Sequence, residues 1–170
     1  MRAADPRATL ASMPPTQTAR QVRRATRADI DALLALEHAT FDSDRISRAQ
    51  WRHYIGSAST AVFVNGTPKR ADAAAVVFYR RNAQAARLYS LAVGGHARGG
   101  GLGSALLAAA EADARARGCT SMRLEVRADN PSAIALYERR GYTRIAHLPA
   151  FYEDRTDGWR YMKRLTAVTP

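Results

Sequence analysis

Cysteine and long apolar runs are scarce in this sequence, and each absence excludes a class of protein. Cys119 is the only cysteine, which excludes an internal disulfide and a metal site with several cysteine ligands, and favours a reducing, cytoplasmic setting. No apolar run approaches the ~20 residues that span a bilayer, and the N-terminal segment lacks the ~7–15-residue apolar core of a secretory signal. These absences predict a cytoplasmic protein with no metal centre and no membrane partner.

Lysine is scarce as well. Lys69 and Lys163 are the only lysines among the 26 lysine and arginine residues, so arginine supplies nearly all of the positive charge behind the net charge of +11. An arginine-rich face attracts phosphate groups, nucleic acid or an acidic partner, but the arginines form no run longer than two. This scatter favours the alternative that genomic base composition spreads them over solvated surfaces. A nucleic-acid-binding module stays open, although no helix-turn-helix pattern or zinc-ligand pair supports it.

Length and proline content divide the chain into two parts. A chain of 170 residues, 46% of them hydrophobic, is long enough for one domain with a sizeable core. Residues 1–20 contain three prolines and no sustained apolar period, so we expect a disordered tail there and a single domain over residues 21–166. Composition leaves a transit peptide open, although Asp5 and the adjacent Pro14 and Pro15 disfavour an amphipathic helix.

Apolar periodicity predicts an α/β domain after residue 20. Period-two runs predict strands, and period-3.6 runs predict helices that follow the N-cap candidates Thr26 and Ser47. The predicted strands are 21–25, 60–65, 73–80, 86–93, 119–127, 142–148 and 158–165, and the predicted helices are 27–41, 48–56, 102–117 and 131–140. A turn through Asn65-Gly66-Thr67-Pro68 separates two antiparallel strands. Cys119 opens a strand, which favours a small core residue over a nucleophile.

Six of the eleven glycines lie between Gly94 and Gly103, where an apolar strand feeds an Ala/Leu-rich helix. Backbone N–H groups in such a turn, together with the positive end of the helix dipole, form a site for phosphate or pyrophosphate. A Walker A loop is excluded because no lysine follows the last glycine, and a dinucleotide fingerprint fits only loosely without an early βαβ unit. The pattern that fits is R-x-x-G-x-G, with Arg98, Gly101 and Gly103 at its fixed positions.

Two further motifs follow this loop along the chain. They are Leu124-Glu125-Val126-Arg127 followed by Asn130, and Leu136-Tyr137-x-x-x-Gly141-Tyr142. With the loop, they resemble the GNAT superfamily of N-acetyltransferases over roughly residues 22–165, and within it the ribosomal-protein-alanine and related protein N-terminal acetyltransferases. The resemblance implies an α/β fold with a mixed, mostly antiparallel central sheet flanked by helices. It also implies transfer of acetyl from acetyl-CoA to a primary amine by direct attack in a ternary complex.

The resemblance further implies which residues bind acetyl-CoA. The pyrophosphate is expected at Arg98 and the amides of Gly99, Gly100, Gly101, Leu102, Gly103 and Ser104. Pantetheine is expected along the main chain of Leu91, Ala92 and Val93, and Asn130 is expected against CoA. Taken from the residues alone, Arg98 is alternatively a solvated loop arginine, and Asn130 is alternatively an N-cap before the helix-opening Pro131.

Acetyl transfer to an amine needs an uncharged amine, a polarised carbonyl and a proton for the departing thiolate. The resemblance implies that Glu125 is the general base, acting directly or through water, and that Tyr137 protonates the CoA thiolate. The residue pattern alone also allows purely structural roles for both residues. Glu125 shares a strand face with Arg123 and Arg127, which is typical of a cross-strand or neighbouring ion pair on a solvated face, and Tyr137 has a position typical of a core tyrosine.

The acceptor surface in this fold is built from the first helices and the last strands. Here these segments supply Glu37, Phe41, Phe151, Tyr152, Glu153 and Asp154. Their carboxylates suit a protein N-terminus, a lysine, a polyamine or an aminoglycoside equally well. Two alternatives to protein acetylation therefore stay open: a small-molecule amine acetyltransferase, and a catalytically inactive GNAT-like domain that binds CoA or a partner.

Overall fold

The central element of the fold is a seven-stranded sheet, seen in a computed structural model that describes residues 21–166. The strands are β1 (Val22–Arg24), β2 (Thr60–Thr67), β3 (Arg70–Phe78), β4 (Ala85–Val93), β5 (Ser121–Arg127), β6 (Thr143–Leu148) and β7 (Gly158–Arg164). Their order is β1-β2-β3-β4-β5-β7-β6, and each neighbouring pair is antiparallel except the parallel pair β4 and β5. The predicted mixed, mostly antiparallel sheet is therefore confirmed. The predicted tail, residues 1–20, lies outside the described residues.

Four helices cover the sheet. They are α1 (Ile30–Thr40), α2 (Arg48–Gly56), α3 (Leu102–Ala116) and α4 (Pro131–Arg139). The alternation of β2 separates two cores: Val62 and Val64 pack in the cluster of α1 and α2, whereas Ala61 and Phe63 pack in the cluster of α3 and α4. Burial on both faces explains why β2 and β3 are almost continuously apolar. None of the helices in the described part of the chain is long and apolar enough to cross a membrane.

Two of the helix starts follow the sequence rules for capping. Ser47 caps α2 by a reciprocal pair of bonds, in which Gln50 N donates to Ser47 Oγ and Ser47 N donates to Gln50 Oε1. Asn130 Oδ1 accepts the N–H of Ala133 at 3.1 Å, and Pro131 occupies the first helical position of α4. Thr26, the third candidate, instead precedes a single 3-10 turn, Arg27–Asp29, which leads directly into α1.

The predicted turn between β2 and β3 is wrong. Strand pairing continues past Asn65 to Thr67, which pairs with Arg70, so the turn is made by Pro68 and Lys69. Asn-Gly is a strong turn signal, but here Gly66 (φ 125°) lies in the strand, where a Cβ would collide with the carbonyl of Arg70. The sequence therefore indicated correctly that this position needs a backbone conformation that only glycine adopts easily. It assigned the position to a turn, whereas Gly66 lies in a paired strand.

The pairing of β4 with β5 is short, and this shortness creates the site. Ala85–Leu88 pair with Ser121–Leu124 in parallel, and beyond that point the two strands no longer pair with each other. On its other side, β4 carries one extra residue relative to β3, Tyr89, because Val76 pairs with Ser90 while Val77 pairs with Leu88. A bulge bends the strand that contains it, so β4 diverges from β5 immediately after Leu88.

Candidate active site

The gap between β4 and β5 opens into a cleft of about 850 Å³. Its walls are the ends of β4 and β5, the α1–α2 loop, helix α4 and the β6–β7 loop. Twelve of the side chains named from the sequence line it: Leu91, Val93, Arg98, Glu125, Asn130 and Tyr137, and from the acceptor set Glu37, Phe41, Phe151, Tyr152, Glu153 and Asp154. Residues far apart in sequence thus meet around one cavity, whereas Ala92 and the predicted loop residues 99–104 are not among the residues that line it.

The main chain of β4 faces the cleft where β5 has departed. Ala73, Ala74 and Ala75 of β3 pair with Val93, Ala92 and Leu91 on one side of β4. The other side has no strand partner after Leu88. Backbone groups on that side are therefore free to bind an extended ligand. Ala92 contributes main chain alone, since its side chain is buried in the core under α1 and α2.

The glycine-rich loop connects β4 to the N-terminus of α3. Gly99 and Gly101 have φ values of 79° and 81°, which is the left-handed region that side chains disfavour. Gly101 immediately precedes α3, so the amides of the first helical turn point out of the helix end. Gly103 has a different role, because a Cβ there would lie 2.8 Å from the Leu136 side chain of α4. Because Gly103 has no side chain, α3 can approach α4 at this point.

Glu125 is an ion-paired carboxylate in the wall of the cleft. Its side chain is 8% exposed. Oε2 accepts from Arg87 Nε of β4 at 3.1 Å, and Oε1 accepts from Arg160 Nε of β7 at 3.3 Å. The ion pair anticipated from the sequence exists in its cross-strand form, because side chains directly across a sheet are closer than those two apart on one strand. Each oxygen keeps a second lone pair for a ligand proton.

Tyr137 is a buried phenol in the same cleft. The residue is 6% exposed, and its ring packs edge-on against Tyr142 at 5.9 Å between centroids. Burial, followed by the nearby Tyr152, raises the pKa of its hydroxyl above the usual value near 10. Among residues 21–166 the hydroxyl has no hydrogen-bond partner, whereas that of Tyr142 donates to Glu111 Oε1. The fully buried side-chain atoms without a partner in residues 21–166 are Trp51 Nε1, Arg123 Nε and Arg140 Nε. The Tyr137 oxygen is not one of them, so it is accessible from the cleft that Tyr137 lines, which distinguishes Tyr137 from an ordinary core tyrosine.

Arg127 was not predicted to have a role in the site, but it fixes the β6–β7 loop in the wall of the cleft. Its Nη2 donates to Asp154 Oδ2 at 2.6 Å, and its Nε donates to Asp129 Oδ1 at 3.0 Å. The guanidinium carbon also lies 5.0 Å from the centre of the Tyr152 ring. These contacts tie the β6–β7 loop to the end of β5, and Arg127 lowers the pKa of Asp154 to about 2. The sequence motif that contains Arg127 gave no indication of these contacts with the β6–β7 loop.

Glu37 forms a buried part of the acceptor wall. It is 3% exposed, and Oε1 accepts the N–H of Ile46 at 2.9 Å, which fixes the α1–α2 loop relative to α1. Burial raises the pKa of its carboxyl, and the Ile46 bond opposes that shift. No group of three or more histidine, cysteine, aspartate or glutamate side chains within residues 21–166 is arranged to hold a metal ion.

Comparison with protein families identifies the class. The model of the acetyltransferase (GNAT) family matches residues 30–142. The chain therefore belongs to the GNAT family of acetyltransferases, whose enzymes use acetyl-CoA, and the resemblance drawn from its motifs is confirmed. A comparison with curated protein sequences gives no match.

Solved structures with the same fold include protein acetyltransferases. The ribosomal-protein-S18-alanine N-acetyltransferase of Escherichia coli is 24% identical, with a TM-score of 0.76 over 88% of this chain and 96% of that one. Ard1 of Thermoplasma volcanium is 25% identical, with a TM-score of 0.76 over 87% and 99%. The ribosomal-protein-alanine N-acetyltransferase of Brucella melitensis is 26% identical, with a TM-score of 0.72 over 85% and 99%. At 24% identity, the similarity to the Escherichia coli enzyme establishes the fold alone.

Proposed function

We propose that residues 21–166 form an N-acetyltransferase domain that transfers the acetyl group of acetyl-CoA to a protein N-terminus. The observation that carries this proposal is the unpartnered, buried phenol of Tyr137, which lines one cleft together with Glu125 and Arg98. An acid, a base and a phosphate-binding loop around one cavity are the parts that acetyl transfer needs. The similar structure of the ribosomal-protein-alanine N-acetyltransferase of Brucella melitensis supports a protein as the acceptor.

The steps follow from the positions of these residues. Glu125, directly or through a water, takes a proton from the acceptor ammonium, and the freed nitrogen attacks the thioester carbonyl carbon. Main-chain groups of Leu91–Val93 polarise that carbonyl and hold the pantetheine. When the carbon–sulfur bond breaks, Tyr137 donates its hydroxyl proton to the thiolate. Burial keeps the phenol protonated at neutral pH, because the raised pKa of Tyr137 favours the neutral form.

Arg98 and the loop amides complete the proposed donor site. The side chain of Arg98 is exposed at the cleft and makes no ion pair with the described residues. Arginine forms planar, forked contacts with phosphate oxygens, and the helix end behind Gly101 adds its outward-pointing amides. Asn130 already caps α4, and its position in the cleft is compatible with contact to CoA as well.

Turnover with a panel of amines tests the proposal. Release of free CoA from acetyl-CoA is measured with N-terminal peptides, peptides whose only amine is a lysine, polyamines and aminoglycosides. We expect the N-terminal peptides to be the fastest acceptors. Faster release with a small amine would assign the chain to small-molecule acetylation. Binding of CoA without release to any acceptor would identify an inactive CoA-binding domain.

Gly101→Ala is expected to weaken CoA binding by about tenfold or more, since the motif fixes glycine where the backbone approaches the pyrophosphate. The change also strains the left-handed backbone by about 1–2 kcal/mol. Gly118→Ala is the matched control, because its φ of 81° and its open surroundings equal those of Gly101, while it lies beyond the C-terminal end of α3 and outside the cleft lining. Calorimetry measures the affinity, and melting without ligand measures the strain.

Saturating CoA is also expected to stabilise the wild type, by about 2.7 kcal/mol at a hundredfold excess over Kd. The Gly118→Ala protein should retain most of this stabilisation and the Gly101→Ala protein should lose it. Equal losses in the two variants would make Gly101 a purely conformational glycine. A folded wild type that gains no stability from CoA would contradict the donor site itself.

A further inference from the structure

The charge of the cleft is opposite to the charge of the chain. The chain carries a net charge of +11, yet seven acidic side chains and only three arginines line the cleft. The acidic residues are Glu37, Asp42, Asp44, Glu125, Asp129, Glu153 and Asp154, and the arginines are Arg87, Arg98 and Arg127. An anionic cofactor alone would favour the reverse distribution, so the acidic residues require another explanation.

Acidic residues elsewhere in the described chain are mostly neutralised by neighbours. Ion pairs join Asp29 to Arg23, Asp31 to Arg48, Asp72 to Arg70, Glu111 to Lys163, Asp113 to Arg117 and Asp157 to His147. Glu138 instead accepts the hydroxyl proton of Tyr161. Within the cleft, Arg127 pairs with Asp129 and Asp154, while Arg87 pairs with Glu125. These pairs account for every cleft arginine except Arg98 at the proposed phosphate site.

Three exposed carboxylates of the cleft remain without a cationic partner among the described residues. Asp42 and Asp44 belong to the α1–α2 loop, and Glu153 belongs to the β6–β7 loop. The two loops are held in place independently, by the Glu37 to Ile46 bond and by the Arg127 to Asp154 pair. Like charges gathered around one cavity repel each other, and a cationic ligand relieves that repulsion.

A second observation indicates that a ligand enters this part of the cleft. Tyr137 is more than nine-tenths buried, lines the same cavity, and has a hydroxyl without a partner in residues 21–166. An acceptor amine that reaches Tyr137 and Glu125 leaves the rest of its chain toward the loops. An extended peptide advances about 3.3–3.6 Å per residue, so the second to fourth residues lie within roughly 10 Å of the reacting amine.

We infer that the preferred acceptor is a protein N-terminus with arginine or lysine among its second to fourth residues, whose cationic side chains bind Asp42, Asp44 and Glu153. The inference rests on the proposed function, because it names the acceptor of that same site. Arginine suits the surroundings especially well, since aromatic rings of Phe41, Phe151 and Tyr152 line the cleft beside the carboxylates, and guanidinium groups stack on such rings.

Peptide binding tests the inference separately from catalysis. Three eight-residue peptides begin with alanine, carry a fluorophore at the C-terminus, and have arginine, glutamine or glutamate at positions two to four. Anisotropy measures their affinity for the full chain saturated with CoA. We expect the arginine peptide to bind about tenfold tighter than the glutamine peptide, and we expect this preference to shrink as salt rises, because exposed charges are screened.

Variants assign the preference to the named carboxylates. In the triple variant Asp42→Asn, Asp44→Asn, Glu153→Gln, the arginine and glutamine peptides should bind with nearly equal affinity. Asp31→Asn is the control, because it removes an acidic side chain that is 80% exposed and outside the cleft lining, so the wild-type preference should persist. Equal affinity of the two peptides for the wild type, or a preference that survives in the triple variant, would overturn the inference.

Two further outcomes separate this inference from the proposed function. Preferential binding of the arginine peptide without CoA release from acetyl-CoA would contradict acetyl transfer to peptides and leave the cationic ligand site in place. Tighter binding of spermidine than of every peptide would overturn the peptide assignment. Turnover with all N-terminal peptides at rates that do not depend on their charge would support the proposed function and refute the acidic recognition.

Discussion

Tyr137→Phe is expected to lower acetyl transfer by about 10²- to 10⁴-fold, the contribution of a general acid. The change removes one oxygen from a side chain whose hydroxyl has no partner among the described residues, so the packing of the ring against Tyr142 is retained. CoA affinity should therefore stay near the wild-type value. Single-turnover kinetics with a fast acceptor, together with calorimetry of CoA, measures the two quantities.

The pH dependence of this effect follows from burial. Because the pKa of Tyr137 is raised above its usual value near 10, the hydroxyl keeps its proton as pH rises from 8 to 10, and ionisation of this group should cause no loss of wild-type activity in that range. Higher pH supplies no proton to the thiolate, so the defect of Tyr137→Phe should persist. Tyr142→Phe is the matched control, because it removes a neighbouring buried hydroxyl that is bonded to Glu111. This variant should lose stability and keep turnover near the wild-type value. Turnover of Tyr137→Phe equal to the wild type would leave only a core tyrosine.

Glu125→Gln is expected to lower turnover by a similar 10²- to 10⁴-fold at neutral pH. Glutamine keeps the shape of the side chain but cannot accept the ammonium proton. Raising the pH toward and above the acceptor's own pKa, about 7.7–8.0 for an α-amine, supplies deprotonated amine from solution. The defect should therefore narrow between pH 7 and pH 9. Turnover against pH for both proteins measures this change.

The ion pairs of Glu125 require a separate control. Glutamine also weakens the contacts with Arg87 and Arg160, whose side chains are about one-third exposed. Glu111→Gln removes another buried carboxylate, paired with Lys163 outside the cleft, and measures the cost of losing such a pair. A defect in Glu125→Gln that is constant across pH would show that Glu125 positions the two arginines and does not act as a base.

Much of the fold was accessible from the sequence because its signals are local. Ser47, Asn130 and the glycines bracketing α3 and α4 mark element boundaries through bonds within a few residues of each other, and the order of strands and helices was predicted correctly. The same local logic failed at Asn65-Gly66. There, pairing with β3 continued through Thr67, and a bulge absorbed the glycine that the sequence had assigned to a turn.

The chemistry of the site depended on contacts that local patterns do not encode. A cross-strand or neighbouring ion pair was expected for Glu125, but only the structure identifies its partners as Arg87 of β4 and Arg160 of β7. The clamp of Arg127 on Asp154 joins residues 27 apart in sequence. Sequence named Tyr137 as a candidate, but only the structure distinguishes its unpartnered hydroxyl from the bonded hydroxyl of Tyr142.

The sequence by itself determined the family, the order of the elements and the position of the glycine-rich loop before α3, since each follows from residue type and spacing along the chain. Tertiary structure alone decided where β4 leaves β5, because the bulge at Tyr89 depends on pairing with β3. It also decided which carboxylates are neutralised, since Coulomb interactions depend on distance in space and on burial. Glu153 was named from the sequence, but Asp42 and Asp44 were not, and only the folded chain gathers the three around one cleft.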